Sequence, residues 1–269
     1  MARPFFAAAV VFVSLISTGT HAQNPRERTV FVSVVDKNGE PVTGLGTGDF
    51  TVREDRAVRE VLRVSPATDA LDIALLVDNS ASLGNNVTFM REGLTKFATA
   101  MLGGDSVNRI GARLALIGLA DRPTILADYT SGLAQITAAI GKVFSTPDSG
   151  MTLLDAMVET SKGLEKRDAP RTAVVAVLIE GPEYGRYDDR TIVDALKKSG
   201  SSFHAVTVGT FSAITPDEVR YRLLTLTRGT QETGGRHDNL LSPMGVPQAL
   251  EKLGRQLSSE YKVVYGRPE

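Results

Sequence analysis

The sequence predicts an α/β protein built on a doubly wound, mostly parallel sheet with one antiparallel edge strand, preceded by a small N-terminal β unit. Three observations predict it. Residues 71–77 (LDIALLV) and 173–179 (AVVAVLI) are almost unbroken apolar runs of strand length, as expected of strands buried on both faces. These runs alternate with stretches of helical periodicity, such as Phe89, Leu94, Phe97 and Met101. Strand alternating with helix implies parallel pairing through right-handed crossovers. Residues 29–65, by contrast, have β texture and no helical period.

At the start of the chain, residues 1–22 have the layout of a secretory signal peptide: Arg3, an apolar run over 5–16, and Thr20-His21-Ala22 as a small-x-small cleavage site. That run is too short for a membrane span, which needs about 20 apolar residues. Cleavage after Ala22 implies a secreted or periplasmic protein, and no other stretch is apolar enough to span a bilayer. Residues 23–66 form the β unit and its linker. Within it, strands are expected at 29–35, 50–53 and 58–64, with a turn at Asp36-Lys37-Asn38-Gly39. A unit this small is not stable alone and must dock on the larger domain C-terminal to it.

Residues 67–269 form that main domain. Strands are expected at 71–77, 112–119, 124–127, 173–179, 203–208 and, closing the chain, 261–265. Helices are expected at 88–102, 133–144, 152–164, 190–198, 216–227 and 246–258. The short link Asp121-Arg122-Pro123 makes a hairpin of the second and third strands, which places one antiparallel strand at an edge. Gly44-Leu45-Gly46 and Gly103-Gly104 read as turns and not as phosphate cradles, because neither leads from a buried strand into a helix.

Composition removes several classes of function. Acids and bases nearly cancel, with a formal net charge of -1 in 269 residues, so nothing neutralises a nucleic-acid backbone. The chain has no cysteine, which excludes thiolate zinc sites, iron–sulfur clusters, disulfides and cysteine nucleophiles. His204 and His237 each lack a second histidine at metal-ligand spacing. There is no Gly-x-Ser-x-Gly elbow.

Ligands of open α/β sheets bind beyond the carboxyl ends of the strands. The 71–77 run ends in Asp78-Asn79-Ser80-Ala81-Ser82, the 173–179 run in Glu180-Gly181, and the helix at 152–164 is preceded by Asp148-Ser149-Gly150-Met151-Thr152. Asp78, Ser80, Ser82, Thr152 and Glu180 are hard oxygen donors, suited to magnesium, manganese or calcium. Asp and Ser are also common turn residues; the triple spacing after an apolar strand is what sets these apart. Glu183, Asp188 and Asp189 read as a solvated rim, with a second cation site as the alternative.

Those same residues carry a resemblance. Ile73-Ala74-Leu75-Leu76-Val77-Asp78-Asn79-Ser80-Ala81-Ser82, Gly150-Met151-Thr152-Leu153-Leu154-Asp155-Ala156 and Val177-Leu178-Ile179-Glu180-Gly181 resemble the motifs of a von Willebrand factor type A (VWA) domain. The first is similar to its metal-ion-dependent adhesion motif. The β unit, with Val35-Asp36-Lys37-Asn38-Gly39 and Asp49-Phe50-Thr51-Val52-Arg53, resembles the segment preceding this domain in a bacterial, acidobacterial-type secreted subfamily. The resemblance implies that Asp78, Ser80, Ser82 and Thr152 hold Mg2+ (or Mn2+/Ca2+), leaving one position for a carboxylate of a partner protein.

The family's usual Asp is Glu180 here, longer by about 1.5 Å. It either contacts the ion directly, in the partner's place, or marks a degenerate site. The expected function is an adhesion-type protein-binding module and not an enzyme. The alternatives are a structural module with a degenerate site and a metal-dependent phosphohydrolase using a strand-end aspartyl nucleophile. The last lacks the second Asp two residues on, where Ser80 stands.

Overall fold

Four short strands and a tight turn open the described chain. The computed structural model describes residues 26–103, 111–167, 169–209 and 216–267; the expected signal peptide lies outside them. β1 (Arg26–Val32) leads to the Asp36 turn, then to the hairpin of β2 (Val52–Glu54) and β3 (Ala57–Arg59) and on to β4 (Val61–Pro66). The turn closes because Asp36 Oδ1 accepts the amide hydrogens of Asn38 (2.8 Å) and Glu40 (2.9 Å). Gly39 sits at φ +77°, where a side chain would be strained.

The main sheet begins with β5 (Leu71–Val77), buried along its whole length. α1 (Val87–Leu102), β6 (Ala112–Gly118), β7 (Thr124–Thr130), α2 (Leu133–Ile140), α3 (Leu153–Arg167), β8 (Arg171–Ile179), α4 (Asp189–Ser199) and β9 (Ser201–Val208) come next. α5 (Asp217–Leu224) runs through a π-helical turn, Thr225–Gly229, into α6 (Thr230–Glu232). β10 (His237–Leu240), α7 (Val246–Ser258) and β11 (Tyr261–Arg267) complete the chain. The sheet has six strands in the order β10-β9-β8-β5-β6-β7. All neighbours are parallel except β6 and β7, the hairpin at the edge. This is the expected doubly wound class.

Period-two alternation sorts the core into two layers. Ile73, Leu75 and Val77 of β5 face a cluster with Phe97 of α1, Ile136 of α2 and Leu250 of α7. Ala74 and Leu76 face the opposite cluster, with Met157 of α3, Ile192 of α4 and Leu226 of the π turn.

Two expectations shift. The helix expected over 133–144 stops at Ile140, where the helix-weakening Gly141 is next in the chain. Beyond it the chain turns toward the end of β5, with the Thr146 amide donating to Asn79 O at 2.9 Å. No strand is expected over 237–240, yet β10 forms there. Its sequence, HDNL, has no apolar run, and the strand exists because it pairs in parallel with β9.

The N-terminal unit docks through the C-terminal strand. β11 lies between β1 and β4 in a three-stranded antiparallel sheet. Tyr261 ties the unit down, donating its hydroxyl to Val42 O (3.0 Å) and accepting from the Leu45 amide (3.2 Å). The buried Arg171 at the start of β8 donates to Ala67 O, Asp69 O and Leu257 O and pairs with Glu260 at 2.5 Å. Its guanidinium also lies 5.1 Å from the Phe31 ring centroid. No helix among the described residues is long and apolar enough to cross a membrane.

Candidate metal centre

The chain leaves β5 toward β6 and returns on its other side at β8, so the strand order reverses beside β5. Such a switch point opens a crevice at the carboxyl ends of the strands. Four loops converge there and are laced by backbone bonds. Met151 bridges to both Ala120 and Glu183. The Ala81 amide donates to Ser149 O, and the Asp121 amide to Gly150 O.

Asp78 is the centre of this arrangement. It is 0 % exposed. Oδ1 accepts the Ser80 amide hydrogen (2.9 Å) and Oδ2 that of Ile179 (3.1 Å). A carboxylate has about four acceptor sites, more than these two amides fill. Burial pushes the carboxyl pKa up, and hydrogen bonds from Ser80 and Ile179 with the charge of Arg222 pull it back. Asn79 points away, accepting the Ala120 amide hydrogen at Oδ1 (2.9 Å).

Ser80 is buried and caps the 3-10 helix Ala81–Asn86, with Oγ accepting the Ser82 amide hydrogen at 3.3 Å. Ser82 is half-buried, and its hydroxyl lies so close to Gly181 that a Cβ there would collide with it. Thr152, 3 % exposed, immediately precedes α3. Its amide and its hydroxyl both donate to Leu119 O at 2.8 Å. The hydroxyl hydrogen is therefore committed, and the oxygen's lone pairs are left to accept. The structure thus brings Asp78, Ser80, Ser82 and Thr152 to one crevice. One buried carboxylate with three neutral hydroxyls fits a hard divalent cation in donor chemistry. Among the described residues no group of three or more His, Asp or Glu is arranged to hold a metal, so any site here depends on its hydroxyls.

Glu180 stands at the same crevice but is turned to another partner. Both carboxylate oxygens accept from Arg222 Nη2, at 3.1 and 3.2 Å. Arg222 projects from α5, is 1 % exposed, and also donates through Nη1 to Gly181 O at 2.9 Å. Glu180's pKa is raised by burial and lowered by this guanidinium.

The Glu183 side chain is buried and is no solvated rim residue. Oε1 accepts from the Gly185 amide (2.9 Å) and from the Leu154 amide at the head of α3 (3.5 Å). Burial pushes its pKa up to about 7. Asp188 caps α4, and Asp189 is buried against Arg228. Sequence reasoning missed Arg222, yet a signal was present. Val219, Arg222 and Leu226 fall at i, i+3 and i+7, so an arginine occupies the buried stripe of an amphipathic helix.

The fold is that of a VWA-like α/β domain. The sequence model of the family described as von Willebrand factor type A domain matches residues 73–182, the stretch containing all five candidate residues. Proximal thread matrix protein 1 of the mussel byssus, in a structure with a zinc-occupied MIDAS motif, is similar with TM-score 0.57 and 19% identity, over 74% of this chain and 49% of that one. The vWF domain of the type V pili tip protein Mfa5 from Porphyromonas gingivalis is similar with TM-score 0.54 and 10% identity, over 71% of this chain and 96% of that one. At such identities the likeness is one of fold, and this chain spans about half the length of the mussel protein. No curated protein matches it.

Proposed function

We propose that this chain is an exported, non-catalytic protein-binding module of the kind its resemblance to the bacterial secreted VWA subfamily implies. It would hold magnesium, manganese or calcium on Asp78, Ser80, Ser82 and Thr152 to bind a carboxylate of a partner protein. The observation that carries the reading is the state of the Thr152 hydroxyl. Its hydrogen is given to Leu119 O, which orients its lone pairs for a Lewis acid in the crevice that buries Asp78. A divalent cation bound there supplies an electrophilic position for an anionic oxygen.

The chain's own residues set that preference. Three of the four donors are neutral hydroxyls and leave most of the cation's charge unneutralised. The amino end of the 15-residue helix α3 adjoins the crevice and favours an incoming anion. Asp78 is fixed by two amides, and Ser80 stands where an aspartyl phosphohydrolase needs its second Asp.

One observation favours the second reading, a structural module with a degenerate site: Glu180 is engaged by Arg222. Thermal melts in millimolar magnesium and in chelator, for wild type and Asp78→Ala, decide between them. An unchanged wild-type melting temperature supports the degenerate site. Export is tested by mass analysis of secreted protein, with Gln23 expected as the first residue after loss of residues 1–22.

A further inference from the structure

We infer that Arg222 is a latch that holds Glu180 off the metal position and so keeps the partner's coordination place free. The inference rests on the metal-bridge reading and names how that site is controlled. Glu180 is the acidic residue one would expect to close on a cation at the Asp78 crevice. Two independent features of the fold turn it instead toward α5.

The first is the guanidinium. Arg222 reaches both Glu180 oxygens and Gly181 O, so it fastens the side chain and the backbone of the same loop. The second is Gly209 at the end of β9. A Cβ there would come within 2.7 Å of Glu180 Cβ, so the absent side chain makes the room that Glu180 occupies. Gly209 also has φ +118°, a conformation L side chains rarely adopt.

The arginine is itself firmly placed. A buried guanidinium is costly unless paired, and this one lies between Glu180 and Glu183, whose Oε2 is 3.9 Å from Nη1 and has no hydrogen bond. The π-helical turn Thr225–Gly229 comes directly after α5, and such turns occur often at functional positions. While latched, Glu180 adds no charge to the cation, and Asp78 remains the one carboxylate in the set. Released from Arg222, Glu180 would be free to turn toward the crevice and compete with a partner carboxylate.

Isothermal titration of the purified protein with magnesium chloride tests this, with chelator-treated melts to check folding. Arg222→Met is expected to bind magnesium at least about tenfold tighter than wild type, a change of the size typical for residues that orient metal ligands. The gain should vanish in Arg222→Met/Glu180→Gln. A folded Arg222→Met that binds no tighter than a binding wild type, or a gain that survives Glu180→Gln, overturns the latch and leaves the metal-bridge reading standing. Absence of binding in both wild type and folded Arg222→Met overturns the metal-bridge reading too. Binding by folded Arg222→Met alone overturns the metal-bridge reading of the wild type, and with it a latch that keeps a partner's place free. Should Arg222→Met not fold, Glu180→Gln decides. A latched Glu180 predicts a change within about threefold, and a loss of tenfold or more makes Glu180 a ligand and the latch wrong.

Discussion

Two acidic residues end two neighbouring parallel strands of this sheet, and the protein treats them in opposite ways. Asp78, after β5, is held by backbone amides of Ser80 and Ile179. Glu180, after β8, is held by the side chain of Arg222. Amides satisfy hydrogen-bonding capacity without a full opposing charge, so Asp78 keeps an electrostatic demand that a cation would meet under the proposed reading. A guanidinium satisfies both at once. Topology therefore places a carboxylate at the crevice, but the neighbour decides whether that carboxylate is available. The contrast predicts metal dependence on the β5 side and side-chain charge coupling, hence pH dependence, on the β8 side.

The largest expected effect is on the β8 side. Glu183 titrates near 7 in the folded protein against an ordinary 4.5. The folded state thus binds this proton more tightly than the unfolded state. The corresponding stability is complete below about pH 4.5 and is lost as pH rises through 7. Each pKa unit corresponds to about 1.4 kcal/mol, so the loss approaches roughly 3 kcal/mol by pH 8. Asp78 and Glu180 are shifted in the same direction by burial and add to it. Urea unfolding in chelator at pH 5 and pH 8 should show wild type weaker at pH 8, with much of the difference removed in Glu183→Gln. Equal slopes in the two proteins would place the pH dependence elsewhere.

Next in size is the β5 side. Magnesium at about 100 times its dissociation constant stabilises by about 2.7 kcal/mol, roughly 5 to 10 °C in melting temperature for a domain this size. Asp78→Ala should abolish that rise, because it removes the one carboxylate of the set. If Asp78→Ala still responds to magnesium like wild type, the cation binds somewhere else and the comparison collapses.

The two sides also differ in how far the sequence reveals them. The β5 side is local. Asp78, Ser80 and Ser82 lie on one strand end, and the nearly unbroken apolar run before them fixes both strand and exit point. Thr152 is remote in sequence, but the amphipathic pattern of α3 marks where its helix begins. The β8 side depends on tertiary pairing. Arg222 lies 42 residues from Glu180, and periodicity shows that α5 has a buried stripe without saying which carboxylate meets its arginine. Glu183 comes after a strand end in a polar stretch, and only the bridge from Met151 carries it inside. β10 likewise has no pattern of its own, since a parallel edge strand can be defined by its neighbour. Docking of the N-terminal unit through β11 is also a long-range event, although the closing strand itself is readable.

A smaller effect tests how closely the two strand ends approach. Gly181 is the residue directly after Glu180 and lies against the Ser82 hydroxyl. Gly181→Ala forces that hydroxyl or the loop to move, with an expected loss of about 1 to 2 kcal/mol from overpacking and a reduced magnesium response. Ser82→Gly in the same background should relieve the collision and recover stability without recovering the metal response. Recovery of neither would mean that the β8 loop does not pack against Ser82 in solution.

The smallest effect on stability belongs to Thr152, and it separates structure from ligation most cleanly. The hydroxyl donates to Leu119 O, but so does the Thr152 amide. Thr152→Val keeps the branched shape and the amide bond, so the carbonyl stays satisfied. The cost in chelator should be one ordinary hydrogen bond, about 0.5 to 1.5 kcal/mol. Thr152→Ser keeps the oxygen and should cost less. If the hydroxyl serves only α3 and Leu119, all three proteins gain the same number of degrees from magnesium despite different starting points. If its lone pair completes the cation's shell, the gain shrinks in Thr152→Val and persists in Thr152→Ser. That split, read from paired melts with and without magnesium, depends on the oxygen and not on the stability it contributes. An identical gain in all three proteins would remove Thr152 from the metal centre and leave Asp78 with the two serines.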